Sequence, residues 1–111
     1  MRDLSLFEAM PVFVESEPMP EYRLIYHWDA EHWTRIATGD IPVDICKYVE
    51  KHLEEMRDAA AQTLEEEGIA ECFAIEYYYG RTLVRKWCDT PDNIFEVIRK
   101  ITDDWLSRAF T

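Results

Sequence analysis

Asp40-Ile-Pro-Val-Asp-Ile-Cys-Lys-Tyr-Val-Glu-Lys51 returns 49 residues later as Asp89-Thr-Pro-Asp-Asn-Ile-Phe-Glu-Val-Ile-Arg-Lys100. Both copies read Asp-x-Pro-x-(Asp or Asn)-Ile, then an apolar-periodic run, and each follows two aromatic runs that alternate like strands. A repeat fixes architecture before any single residue does, because each copy is one supersecondary unit with the same kind of face to bury. The unit it predicts is ββα, used twice.

The quoted stretches open the two helices. Pro42 suits a first helical turn, where its missing N–H has no partner to lose. Ile45, Val49, Leu53, Met56, Ala60 and Leu64 then recur every three or four residues, the spacing of one helical face. Gly68 fits the left-handed residue that closes a helix. A helix of about 25 residues is roughly 37 Å long, so one end is expected to overhang a sheet of this size. In the second copy Thr90 reads as N-cap, Pro91 as the first helical residue and Asp92 as an acid at the positive end of the dipole. Ile94, Ile98, Ile101, Trp105 and Ala109 form its apolar stripe.

Outward from the helices, Tyr22 to Trp28 alternates as a strand. Asp29 to His32 reads as a turn, with a short helical turn near Ala30–Trp33 as the competing reading, and Trp33 to Thr38 returns. Ile69 to Tyr79 and Arg81 to Cys88 form a second hairpin around Gly80, since glycine permits the positive φ of a tight turn. The predicted fold is α+β, (ββα)2: a four-stranded, mainly antiparallel sheet with both helices on one face. One domain covers residues 1–111, divided into an arm and linker (1–21), a first ββα unit (22–68) and a second (69–111). Residues 4–14 read as an extended arm or edge strand, Pro11 arguing against a central one. Residues 15–21 read as a polar, proline-containing linker.

Aligned on the repeat, Leu24, Tyr26 and Trp28 match Phe73, Ile75 and Tyr77 and should face the helices. Arg23, Ile25, His27, Cys72, Ala74, Glu76 and Tyr78 then form the opposite, half-apolar face. Such a face suits self-association through Ile25, His27, Ala74 and Tyr78, as in a homodimer, or cover by residues 1–14.

Composition bounds the class. At 111 residues, 48% apolar and 14% aromatic, the chain can bury a core without disulfides or metal. No run approaches the ~18 apolar residues of a membrane span, and Met1–Glu8 has no apolar signal core. Cys46, Cys72 and Cys88 are odd in number and read as reduced thiols, Cys72 and Cys88 facing one another across a hairpin. The expected location is cytoplasmic.

Net charge is −11, and its placement is uneven. Residues 1–21 carry −4 and residues 54–80 carry −7, while the remainder balances. Such a chain repels nucleic acid and complements a basic partner. Glu50, Glu54, Asp58 and Glu65 share one helix flank, with neighbours four apart about 6 Å from each other along the axis. Carboxylates so spaced can imitate phosphates in a basic groove. Lys47, Lys51 and Arg57 can neutralise the first half. From Asp58 onward that helix has no base, and Glu65-Glu66-Glu67 opposes its dipole.

Catalytic signatures are sparse. His27, His32 and His52 show no metal-ligand spacing, there is no Cys-x-x-Cys, and three glycines make no phosphate loop. Cys46 stands where the repeat has Phe95, which points to packing rather than to a nucleophile. No metal or cofactor is expected.

The function these features favour is a small acidic, non-enzymatic interaction protein. It would dock on a basic protein, such as a nucleic-acid-binding protein, as an inhibitor, immunity-type protein or nucleic-acid mimic. Its expected surface is Glu54, Glu55, Asp58, Glu65, Glu66 and Glu67, with Glu71 and Glu76 nearby. The alternatives are the self-associating module above and a small enzyme or ligand-binding protein. The last would use a pocket between sheet and arm, with His27, Glu76 and Arg35 as polar groups.

Overall fold

A computed structural model describes residues 18–110. The elements run β1 (Pro20–His27), β2 (Trp33–Gly39), α1 (Pro42–Glu67), β3 (Phe73–Tyr79), β4 (Thr82–Asp89) and α2 (Pro91–Ala109). The strands form one antiparallel sheet in the order β2-β1-β3-β4. The α+β class and the four-stranded sheet are as the sequence predicts. The arm expected over residues 4–14 lies outside the described residues.

The central pair carries the core. Tyr22, Leu24 and Tyr26 of β1 stand opposite Tyr77, Ile75 and Phe73 of β3. The Tyr22–Tyr77 and Tyr26–Phe73 ring centroids are 4.7 and 5.0 Å apart. Ile45, Val49 and Met56 of α1 and Ile94 and Ile98 of α2 pack into the same cluster. Alternate residues of a strand face opposite sides, so both helices lie on the face these six residues share.

Local chemistry sets the boundaries. α1 starts at Pro42 without a side-chain cap and ends at Gly68, whose φ of 73° lets its N–H reach the Leu64 carbonyl at 2.9 Å. At 26 residues it is roughly 39 Å long, against about 26 Å for an eight-residue strand. Residues from Leu64 to Gly68 are exposed, so the C-terminal end is the one that overhangs. α2 is capped by Thr90, whose side chain accepts from the Asn93 N–H. Gly80, at φ 66°, closes the second hairpin.

Several boundaries differ from expectation, each for a physical reason. Pro20 and Glu21 belong to β1 rather than to a linker, because a proline is tolerated as the first residue of a strand. β3 begins at Phe73, not Ile69, since residues 69–72 carry the chain from the overhanging helix end back to the sheet. Cys72 therefore escapes the strand alternation: it is buried in the core cluster, not on the open face. Cys88 stands opposite Ala74 and is exposed, so the two thiols do not meet. Trp28 lies past the end of β1, 53% exposed, with its ring against His32 at 5.6 Å. It faces no helix. Asp29 makes the turn after β1, its Oδ1 accepting from the N–H groups of Glu31 and His32 at 2.7 Å each, and no helical turn forms. That loop spans residues 28–32 and the second only 80–81. The 49-residue offset thus aligns the outer strands and helices but not β1 with β3.

Truncation should sort these positions. Ile75→Ala should cost about 2–5 kcal/mol in urea denaturation, as expected for a fully buried aliphatic side chain. Trp28→Ala should stay within about 0.5 kcal/mol. Comparable losses at both would show that Trp28 does belong to the core.

Candidate functional site

The acids of α1 form the predicted flank, but not all of it is available. Arg57 places its Nη2 2.6 Å from Asp92 of α2 and its Nη1 3.4 Å from Glu54. Glu54 is thereby partly neutralised. The His52 Nδ1 lies 2.6 Å from Glu55 Oε1, and Glu66 accepts from the Gln62 amide at 3.1 Å. Asp58, Glu65, Glu67 and Glu71 are exposed, and no ion pair reaches them among the described residues. No base stands in the last turn of α1.

Glu76 is separate from this group. Its neighbours Ile75 and Tyr77 face the helices, so Glu76 faces the other side of the sheet, 12% exposed and 3.4 Å from the Lys86 Nζ. There it joins Arg23, Ile25, His27, Ala74 and Tyr78. Arg23 lies 3.9 Å over the Tyr78 ring, with its Nε 2.7 Å from Glu21. Ile25 and Ala74 are 1% and 0% exposed, so two of the four residues expected to self-associate are already buried in the single chain. Arg35 is half exposed and turned to Glu21 at 4.0 Å. No hydrogen bond joins His27, Glu76 and Arg35.

Burial raises the Cys46 pKa, and neighbouring Thr102 and Arg99 partly offset it. Burial likewise raises that of Cys72. A protonated thiol is a poor nucleophile, in keeping with a packing role for Cys46. Among the described residues no three His, Cys, Asp or Glu side chains stand together as a metal site.

Sequence reading missed one feature. A mostly apolar cleft of about 180 Å³ opens between α1 and β2, lined by Tyr26, Ile36, Tyr48, His52, Glu55, Met56, Ala59 and Phe73. Two backbone irregularities meet there. α1 leaves helical geometry at His52, with φ −112° and ψ 18°. Ile36 is the extra residue of a bulge, since Leu24 pairs with Ala37 and Ile25 with Arg35. Kinks and bulges of this kind are common beside functional sites. The His52 ring lies 4.3 Å from that of Tyr48. The kink has neither the proline nor the glycine that would announce it. Only the Tyr48 to His52 spacing hinted at a ring pair.

No protein-family model, curated protein or solved structure matches this chain. Among the described residues no helix is long and apolar enough to cross a membrane.

His27 gives the site a measurable pH signature. Its Nε2 is shielded from solvent and has no hydrogen-bond partner among the described residues. Burial lowers its pKa, the Lys86 charge lowers it further, and Glu76 opposes both. Well above the unfolded-state value near 6.5 the ring is neutral in both states. As pH falls through that value the unfolded chain takes up a proton that the folded ring resists, and stability drops. His27→Gln should flatten the stability profile between about pH 7 and pH 5 relative to the parent. Parallel profiles from urea midpoints would show that His27 does not supply that slope.

Proposed function

We propose that this chain is a small acidic interaction protein, non-enzymatic and cytoplasmic, that docks on a basic surface of a partner protein and modulates or inhibits it. The observation that carries this reading is the end of α1. Asp58, Glu65 and Glu67 are exposed there without ion pairs among the described residues. Three successive acids occupy a helix terminus whose dipole disfavours them. Local stability gives no reason for that placement, whereas complementarity to a basic surface does.

Glu71 follows directly in the connection to β3 and extends the same negative end. Beside it the exposed Leu64, with Ala60, Ala61, Ala70 and Pro91, lines a shallow groove. Arg57, Thr90 and Asp92 complete its lining, and an apolar strip with a polar rim is the usual anatomy of a protein interface. A nucleic-acid-binding protein is the partner class with the most suitable basic groove, and the row of acids on α1 would then stand in for phosphates. Glu76 drops out of this surface because it faces the other side of the sheet. The self-association reading retains Tyr78 and His27 but loses Ile25 and Ala74 as contacts.

Reversing Glu65, Glu66 and Glu67 to Lys tests function against stability. The variant should keep a thermal midpoint equal to or above that of the parent, because lysines suit a helix C-terminus. It should lose a salt-labile partner captured from the native host. Capture that survives the reversal at physiological salt would remove the acidic end of α1 as the site.

A further inference from the structure

The cleft between α1 and β2 adds a specific contact to that surface, and the inference below rests on the basic-partner reading. Its size decides what it can hold. Drug-sized ligands and cofactors occupy about 300–1,000 Å³, and this cleft measures about 180 Å³. That is room for one side chain. Its walls are the rings of Tyr26, Tyr48 and Phe73 with Ile36, Met56 and Ala59, and its charged group is Glu55. The Glu55 side chain is 77% exposed at the rim, its Oε1 on His52 Nδ1 at 2.6 Å, which leaves Oε2 for an incoming donor. It starts a run with Asp58, Gln62 and Glu66 at helical spacings of three and four, which meets the acidic flank at Asp58.

Aromatic faces beside a carboxylate select a cation with an apolar stem. We infer that the cleft receives one arginine side chain of the basic partner, its guanidinium hydrogen-bonded to Glu55 and stacked on the Tyr48–His52 ring pair. Arginine suits this better than lysine. Its planar fork both stacks on rings and meets a carboxylate through two N–H groups, while an ammonium is a strongly hydrated point charge. The molecule already holds a guanidinium in this way on its other face. There Arg23 lies 3.9 Å over Tyr78 and 2.7 Å from Glu21. Arginines seated in such pockets are frequent hot spots of protein interfaces.

The test titrates the isotopically labelled full chain with N-acetyl-arginine methylamide, followed by NMR at low salt. Saturable shifts are expected at Ile36, Tyr48, His52 and Glu55, with a weaker response to the blocked lysine. Glu55→Gln should weaken binding about tenfold, the loss of one charge-assisted hydrogen bond. Ala59→Leu should abolish it by filling the cleft while the remaining spectrum stays in place. Non-saturating shifts spread evenly over Asp58 to Glu67, or a Glu55→Gln variant that binds as the parent does, would overturn the inference. An oligo-arginine peptide separates the two proposals. If it binds through Glu65–Glu67 while blocked arginine leaves the cleft unshifted, the cleft inference falls and the basic-partner reading stands. If blocked arginine seats in the cleft but peptide binding ignores reversal of Glu65–Glu67, the acidic end of α1 falls as the docking surface and the cleft stands.

Discussion

The antiparallel pairing of β1 with β3 sets Leu24 opposite Ile75 and Tyr22 opposite Tyr77, and these side chains are the floor on which both helices rest. A slip of one residue in either strand would turn its apolar set to the other face. The helices would then have nothing to pack on. The pairing is central in the sheet, with β2 and β4 added outside it, so neither hairpin can bury its apolar face alone. That dependence explains the depth of burial on so short a strand. Leu24, Phe73 and Ile75 are all within 2% of full burial.

The same constraint accounts for what was legible in the sequence. Positions governed by a period or a cap could be read: the stripe from Ile45 to Ala60 (Leu64, its last expected member, is exposed), the Thr90 cap, Gly68 and Gly80. Each is dictated by local geometry that leaves few alternatives. The errors lie where tertiary geometry intervenes. Cys72 sits one residue before β3, so strand alternation gave the wrong side. Trp28 sits one residue beyond β1, and the aromatic pattern continued past the point where the Asp29 turn ends the strand. Glu76 stands near the helix acids in sequence, but strand alternation already puts it on the open face of the sheet, opposite Arg23. The cleft was invisible because a helix kink at His52 and a bulge at Ile36 arise from packing between elements, and no single segment encodes it.

Length mismatch gives the surface its character. A helix of 26 residues crossing strands of seven or eight outruns the sheet: Thr63 is still buried and bonded to the Tyr26 hydroxyl at 2.6 Å, and only the last turn, Leu64 to Glu67, is exposed throughout. That turn gains little from burial, so its composition is free of packing demands. It holds Leu64 and three acids, the least suitable charge for that end of the dipole. Glu54, nearer the sheet, is by contrast drawn into the Arg57–Asp92 bridge that ties α1 to the start of α2. Along α1 the acid beside α2 is paired, and the acids of the last turn have no base beside them.

On the proposed reading, position along α1 separates two kinds of recognition. At the overhang, exposed acids spaced along a helix give long-range attraction and little geometric selectivity, because exposed charges are screened within about 10 Å at ordinary salt. Near the middle, Tyr48, His52 and Glu55 line a cleft walled by the sheet, where a contact would be short and directional. A partner drawn by the first would be fixed in register by the second. The sheet would make this division possible, because it holds the cleft wall through Tyr26 and Phe73, which stack on one another and pack in the core.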